Sequence, residues 1–432
     1  MEGTHLKDFT SAYFTMNEAD VVEYVQNRLS VFNDDADLEC REIGDGNLNY
    51  VFKVVDRKSG ESIIIKQAGP VARISDAFKV SPDRNRIESE ILELQGELAP
   101  GFVPKVYAYD PVMNCCVMDD LSDHEIMRSA LLNYKKFPLF ADHITTFLAR
   151  TLLLTSDVVM GHKEKKERVQ QFTNPELCEI TEDLVYTEPF YDCEQNDVFE
   201  GTKEFAREVI WNDEKLKLET AKLKFDFMTK AQSLLHGDLH TGSIFIKEDS
   251  TKIIDPEFAF YGPAGYDIGN VVANLIFAYV HAHYTIEETE ARADYLPYLE
   301  ETIVQVVELF SEKFLQLWNE TAAEQTATLP KFKEWYLDSI LEDTAAVTGL
   351  ELCRRVIGIA HVKDLTSISD AKDRTAAEKI CLIAGKTFIL DRTSIRTGDD
   401  FVKVLRHSVN QFSKGAINDD NTNSSHSIST AR

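Results

Sequence analysis

The chain has 432 residues, 44% hydrophobic and 28% charged, which excludes disorder over most of its length and is too long for one ordinary core. Its formal net charge of −27 repels phosphate backbones and anionic membrane surfaces, so neither nucleic acid nor membrane is expected as a partner. Any phosphate site must therefore be built locally, from a lysine, backbone amides and metal ions.

The opening residues Met1–Thr10 lack a basic start followed by an apolar run, so no signal peptide is expected and the chain is read as cytoplasmic. Two strands are expected over Leu38–Ile43 and Tyr50–Val55. They are joined at Gly44-Asp45-Gly46-Asn47, where glycine and asparagine supply the positive φ angles of a tight hairpin. A β-branched run over Ser62–Gln67 ends in Lys66. Ile87, Ile91 and Leu94 recur at helical spacing and predict a helix over Asp83–Glu97. Val103–Tyr109 and Cys115–Met118 read as further strands.

From Ser122 the pattern turns helical, with helices expected over Asp142–Leu154, Lys215–Leu235, Leu299–Leu317 and Trp335–Val347. The longest apolar stretch, Val271–Val280, is too short to span a bilayer. The tail Gly415–Arg432 is rich in Asn, Ser and Asp and is read as disordered. Seven scattered cysteines without a C-x-x-C pair fit neither a disulfide framework nor a zinc site, and suit a reducing compartment. The expected organisation is a small mixed-β lobe (1–118), a connector (119–123), a helical lobe (124–414) and the tail, with a ligand held between the lobes.

One region of strand and turn character, Leu234–Asp267, interrupts the helices. His236-Gly237-Asp238-Leu239-His240-Thr241-Gly242-Ser243 is a polar loop between apolar runs. Phosphoryl transfer to a hydroxyl needs a carboxylate to orient that hydroxyl and take its proton, and Asp238 is placed for this. Downstream, Ile253-Ile254-Asp255-Pro256-Glu257 ends a strand in two carboxylates. If the segment stays extended, Asp255 and Glu257 share a face and both point at Mg²⁺, a hard cation that prefers oxygen ligands. Asp267 opens the next helix, as its cap or as a brace for the loop. Upstream, Lys66 occupies the strand end from which a lysine grips the α- and β-phosphates of ATP. A lone histidine–aspartate loop is an ordinary turn and a lone lysine an ordinary strand end. Their joint order is the specific signal.

The loop resembles the H-G-D-x-x-x-x-N of the aminoglycoside phosphotransferase and choline kinase branch of the protein-kinase-like superfamily, with Ser243 in place of the metal-binding asparagine. Together with Asp255-Pro256-Glu257-Phe258-Ala259-Phe260-Tyr261-Gly262-Pro263 it is more closely similar to the S-methyl-5-thioribose kinase family. Gly44-Asp45-Gly46-Asn47-Leu48-Asn49, Gln171-Phe172-Thr173-Asn174-Pro175-Glu176-Leu177-Cys178 and Arg354-Arg355-Val356-Ile357-Gly358-Ile359-Ala360-His361 match as well. These matches run from about residue 40 to 365.

The resemblance implies an α+β, protein-kinase-like two-lobe fold and ATP-dependent phosphorylation of the 1-hydroxyl of S-methyl-5-thio-D-ribose in methionine salvage. It implies ATP and Mg²⁺ as cosubstrate and cofactor, and a homodimer. Asn49 and Lys66 would contact ATP, and Glu88, or failing that Glu90, would pair with Lys66. The connector, with Asp120, Leu121 and Ser122, would bind adenine through its backbone. Asp255 and Glu257 would hold the metal, Glu257 taking over the duty of the missing asparagine. Asp238 would accept the proton from the anomeric hydroxyl. Arg354 and Arg355 would reach the acceptor site, where a planar guanidinium suits phosphate, although neighbours on a helix diverge by about 100° and only one of the pair is expected to serve. His236 is expected to brace the loop by hydrogen bonds. The alternatives are another small-molecule kinase, acting on an aminoglycoside, choline or homoserine, and a catalytically dead nucleotide-binding scaffold. The arginine pair disfavours cationic acceptors, and the complete set Lys66, Asp238, Asp255 and Glu257 disfavours the scaffold.

Overall fold

The structure, a computed structural model, describes residues 7–43, 49–69 and 83–412. The hairpin turn at 44–47 and the tail from 415 lie outside these residues.

The chain opens with α1 (Glu18–Arg28), a helix the strand-rich reading of this region overlooks. Its start is nevertheless written in the sequence. Asn17 accepts from the Asp20 amide at 3.0 Å, and the Asp20 carboxylate accepts from the Asn17 amide at 3.1 Å, a reciprocal cap. Then come β1 (Leu38–Glu42), β2 (Asn49–Asp56), β3 (Ser62–Ala68), α2 (Asp83–Leu98), β4 (Val106–Asp110) and β5 (Cys115–Asp119). The strands form one antiparallel sheet in the order β1-β2-β3-β5-β4.

Period-two alternation divides this sheet's side chains between two cores. Phe52, Val54, Ile63, Ile65, Cys115 and Val117 pack with Val21, Tyr24 and Val25 of α1. Ile64, Cys116 and Met118 instead face the larger core, and Lys66 lies opposite Cys116 across the β3–β5 ladder. The adjacent cysteines thus serve different cores, and all seven thiols are free.

Beyond β5 the chain is mainly helical. The short strand β6 (Glu125–Ile126) leads into α3 (Met127–Leu132), α4 (Phe140–Leu154), α5 (His162–Gln171), α6 (Pro175–Leu184), α7 (Glu200–Ala206) and α8 (Glu214–Thr229). Four short strands follow: β7 (Ser233–Leu234), β8 (Ile244–Lys247), β9 (Ser250–Ile253) and β10 (Tyr261–Gly262). They form the small antiparallel sheets β10-β7 and β6-β8-β9. The chain ends in α9 (Gly265–Thr285), α10 (Thr289–Thr321), α11 (Pro330–Ile357), α12 (Lys363–Thr366), α13 (Ala371–Leu390) and α14 (Gly398–Phe412). The result is α+β, an antiparallel-sheet lobe paired with a larger helical one.

Two helix expectations are corrected. The helix expected over Lys215–Leu235 ends at Thr229, because the Leu234 amide is taken by Thr155 Oγ1 at 3.0 Å and the Leu235 amide by the Phe260 carbonyl at 2.9 Å. Tertiary hydrogen bonds there override helical periodicity. The helix expected to end at Val347 runs on to Ile357, with Thr348 satisfied inside it by the Thr344 carbonyl at 2.8 Å. That extension carries Arg354 and Arg355 to the site.

From Gly265 to Ala282 every residue of α9 is buried, so this apolar helix is the axis of the large lobe. Among the described residues no helix is long and apolar enough to cross a membrane. α11 crosses α9 at Gly269, where a Cβ would sit 2.7 Å from the Thr344 carbonyl oxygen and 2.9 Å from the Thr348 amide nitrogen. Both obstacles are backbone, which cannot rotate away. Gly269→Ala is therefore expected to destabilise the large lobe by about 1–3 kcal/mol. Heating monitored by far-ultraviolet circular dichroism checks this, and an unchanged midpoint would show that the crossing can open at no cost.

Candidate active site

The loop between β7 and β8 begins with a conformation only glycine adopts freely. Gly237 has φ 84°, and a Cβ there would lie 2.3 Å from the Phe258 carbonyl oxygen. Asp267, buried in the first turn of α9, accepts the amides of His236 at 2.7 Å and Gly237 at 3.0 Å. It braces the loop. Burial pushes its carboxyl above the usual carboxylate range, against the pull of His236 and the two amides. His236 Nε2 donates to the Ile254 carbonyl at 2.8 Å and its Nδ1 accepts the Asp238 amide at 3.2 Å, the bracing expected of it.

Asp238 sits half-buried at the end of this braced turn. Its Oδ1 lies 3.8 Å from Arg354 Nη2 and 4.0 Å from Arg355 Nη2, and its Oδ2 lies 3.4 Å from His240 Nε2. Burial opposes its charge, but His240, Arg355 and Arg354 outweigh that and hold the carboxyl below its ordinary value. It is an ionised acceptor at neutral pH.

The expectation that only one of the adjacent arginines faces the site is corrected. One carboxylate, Glu351, gathers both: its Oε2 takes Arg354 Nε, and its Oε1 takes Arg355 Nε at 2.8 Å. Glu351 lies a turn earlier on α11 and is 1% exposed. The long side chains bend toward it, so the 100° divergence of their Cβ atoms does not carry to the guanidiniums. Burial disfavours the Glu351 carboxylate, yet Arg354 and Arg355 pull its pKa down to about 2.

Across the cleft, Lys66 Nζ lies 2.8 Å from Glu88 Oε1 and 2.6 Å from Asp255 Oδ1. Glu88 rather than Glu90 is the partner, since Glu90 pairs with Arg86 at 2.8 Å. Burial disfavours a charged Lys66, but Asp255, Glu88 and Glu257 together raise its pKa well above the ordinary value. Burial and the neighbouring carboxylates push Glu88 and Glu257 upward.

The assumption of extended backbone through Asp255–Glu257 is also corrected. β9 ends at Ile253, Asp255 adopts left-handed φ 60° and ψ 46°, and Pro256–Phe258 form a 3₁₀ turn. Strand alternation does not place the two carboxylates; a left-handed residue and a 3₁₀ turn do. Asn174 of the matched Gln171–Cys178 segment fixes it, its amide donating to the Glu257 carbonyl at 2.8 Å and the Ala259 carbonyl at 3.2 Å. Among the described residues no three His, Cys, Asp or Glu side chains are gathered to hold an ion alone. Two carboxylates plus the oxygens of a bound phosphate chain suit magnesium's preferences. Glu257 Oε2 is buried and accepts no hydrogen bond among the described residues, which fits a metal ligand.

Asn49 is buried at the start of β2, and its Oδ1 accepts from Arg84 Nη2 at 3.1 Å. Arg84, which no sequence pattern marked, also brings Nε to 3.7 Å from Glu257 Oε2. In the connector, Asp120 is held by Lys53 at 2.7 Å and Ser62 Oγ at 2.6 Å, and it accepts the Ser122 amide at 3.0 Å. The Leu121 carbonyl takes the His124 amide at 2.9 Å.

Beside Asp238 opens a cavity of about 190 Å³. Its lining includes the polar Arg354, Arg355 and Asp238 and the apolar Ile180, Leu184, Val185 and Phe258. Ile180 and Leu184 lie two and six residues beyond the Gln171–Cys178 match, four apart, a helical spacing that reads as plain core. Glu351 was missed for the same reason, as one acid among many in an acidic chain.

A family model described as the phosphotransferase enzyme family matches residues 39–301. The chain is 42% identical to the methylthioribose kinase of Bacillus pumilus over 403 residues, which is 93% of this chain and 99% of that one. It is 43% identical to the methylthioribose kinase of Geobacillus thermodenitrificans, over 88% of this chain and 93% of the relative. The methylthioribose kinase of Geobacillus kaustophilus is 42% identical, over 92% and 98% of the two chains. With a loop, a lysine–glutamate pair and an arginine pair arranged as phosphoryl transfer requires, and similarity of this extent, the chain belongs to the phosphotransferase enzyme family and, within it, to the methylthioribose kinase family.

Proposed function

We propose that this chain transfers the γ-phosphoryl group of ATP to the 1-hydroxyl of S-methyl-5-thio-D-ribose, giving the α-1-phosphate and ADP, in methionine salvage. The observation that supports this reading is the cavity beside Asp238, whose lining combines that carboxylate and two guanidiniums with the apolar Ile180, Leu184, Val185 and Phe258. A sugar with a hydroxyl to phosphorylate and an apolar methylthio end matches both. A cationic acceptor such as choline or an aminoglycoside would meet Arg354 and Arg355 instead.

Asp238 orients the 1-hydroxyl and takes its proton. The freed oxygen bonds to the γ-phosphorus in line, and the bond from that phosphorus to the β-phosphate oxygen breaks, releasing ADP. Arg354 and Arg355 stabilise charge on the group in flight. Lys66, fixed by Glu88, grips the α- and β-phosphates. The backbone of Asp120, Leu121 and Ser122 in a connector spanning 119–123 receives adenine, and Asn49 contacts the nucleotide from β2. Asp255 and Glu257 hold magnesium, which when bound with ATP neutralises the phosphate oxygens. Residues 1–118 and 124–414 act as the nucleotide and acceptor lobes of a cytoplasmic homodimer.

Three measurements test this. ATP consumption with methylthioribose, ribose, choline, homoserine and an aminoglycoside should show turnover of methylthioribose alone, and Asp238→Asn should lower kcat by about 10²–10⁴-fold. ATP affinity in that variant should be unchanged, and a variant retaining turnover would remove Asp238 as the base. Glu257→Ala should raise the half-saturating Mg²⁺ concentration by about tenfold or more with little change in thermal midpoint. An unchanged metal titration would take Glu257 out of the site.

Glu351 gives a pH-dependent stability. Its folded pKa is depressed to about 2, against 4.5 for an ordinary glutamate, so its contribution is complete above about pH 4.5 and is lost as pH falls toward 2. Glu351→Gln leaves two buried guanidiniums without their counter-charge. It should cost about 3 kcal/mol at neutral pH and flatten the acid limb of the denaturation curve.

A further inference from the structure

His240 is used by no step above, yet it stands between the base and the residue that replaces the family's asparagine. The Ser243 amide is shared between the His240 carbonyl at 2.9 Å and His240 Nδ1 at 3.1 Å, with Ser243 Oγ a further 3.2 Å neighbour of Nδ1. A nitrogen that accepts an amide N–H carries no proton, so the ring proton of the neutral imidazole resides on Nε2. Nε2 lies 3.4 Å from Asp238 Oδ2, while the other oxygen, Oδ1, faces the arginines. That assignment puts the ring's N–H on the nitrogen facing Asp238 Oδ2.

We propose that His240 is a positioning residue for Asp238: its Nε2–H holds Oδ2, stabilises the ionised carboxylate and turns Oδ1 toward the acceptor hydroxyl and the arginines. This rests on Asp238 being the base. Such contacts are long in an unliganded enzyme and tighten when substrate arrives.

The surroundings keep the ring neutral. Burial lowers the His240 pKa to about 4, with Arg128 and Arg355 adding to the depression and Asp238 and Glu351 opposing it. Arg128, from α3, is itself anchored by α9 and α12. Its Nη2 donates to Asn274 Oδ1 of α9 at 3.3 Å and its Nε lies 3.7 Å from Asp364 Oδ2 of α12. Asn274 Oδ1 also takes Thr241 Oγ1 at 3.1 Å, so the same buried amide secures the loop beside the ring. Ser243, in turn, is buried against His240. The departure from asparagine at this position serves the base.

Two substitutions separate the ring's duties. Asparagine reproduces the Nδ1 acceptor for the Ser243 amide but reaches no further, whereas glutamine can place an N–H where Nε2 lies. His240→Asn should keep the wild-type thermal midpoint and the KM for ATP, with kcat about tenfold lower. Loss of a donor to the ionised base should also move the acid limb of the kcat profile to higher pH, by roughly half a unit to one unit. His240→Gln should recover most of the kcat and return the limb. Asp238→Asn, measured alongside, separates the two readings: if it retains turnover, Asp238 is not the base. If Asp238→Asn is inactive while His240→Asn matches wild type in kcat and pH limb, the positioning role is wrong. Equal losses in His240→Asn and His240→Gln, with a lowered thermal midpoint in both, would likewise overturn it in favour of plain packing.

Discussion

The site is organised around one ammonium group facing more negative charge than it can neutralise. Lys66 touches Glu88 and Asp255, and Glu257 bears on it from the same turn as Asp255. Carboxylates removed from water and set near one another repel, and a single lysine cannot offset three of them. Glu88 is 1% exposed and acts only locally, keeping the lysine head fixed. Asp255 is 44% exposed at its side chain and strained at its backbone, so it has both access and a reason to accept another cation. In the proposed function, a magnesium–triphosphate complex would bring positive charge to Asp255 and Glu257 and negative charge to Lys66, so that each ionic need of the cleft would be met by one part of that ligand.

The acceptor side solves the opposite problem, an excess of guanidinium. Arg354 and Arg355 lie on the last turn of α11, whose own dipole welcomes positive charge. Glu351 fixes their direction without reaching the cavity, leaving their outer nitrogens turned to Asp238. α11 is tied to the loop through α9: the Gly269 crossing sets the helices close, and Asp267 in the first turn of α9 carries that placement to His236 and Gly237. Base and arginines are held in register by helix packing rather than by direct hydrogen bonds, which leaves their facing atoms available to substrate.

Much of this was legible in the sequence because period-two runs and loop composition report local structure directly. The five strands of the sheet, the His236–Ser243 loop and the Lys66 strand end follow from alternation, turn residues and order. Less legible was whatever depends on three-dimensional convergence. Two adjacent arginines point apart by helix geometry, and only the buried Glu351 brings them together. Asp255 and Glu257 lie on a left-handed residue and a 3₁₀ turn, where strand alternation predicted extended backbone. Arg84 and Arg128 sit where no periodicity singles them out, since one charged residue near a helix start looks like any other.

The substitution of serine at 243 links the two halves of the chemistry. An asparagine there would project toward the metal; serine is too short, and its amide and hydroxyl turn back to the His240 ring. In the proposed function the metal ligand would come from elsewhere, and Glu257 has a buried oxygen accepting no hydrogen bond among the described residues. A full carboxylate in place of a neutral amide adds charge to a crowded site, and Arg84 at 3.7 Å offsets part of it. On the proposed reading Ser243, His240, Glu257 and Arg84 would form a compensating set, in which the loop gains a ring beside Asp238 and the neighbouring turn would supply the ligand that serine does not.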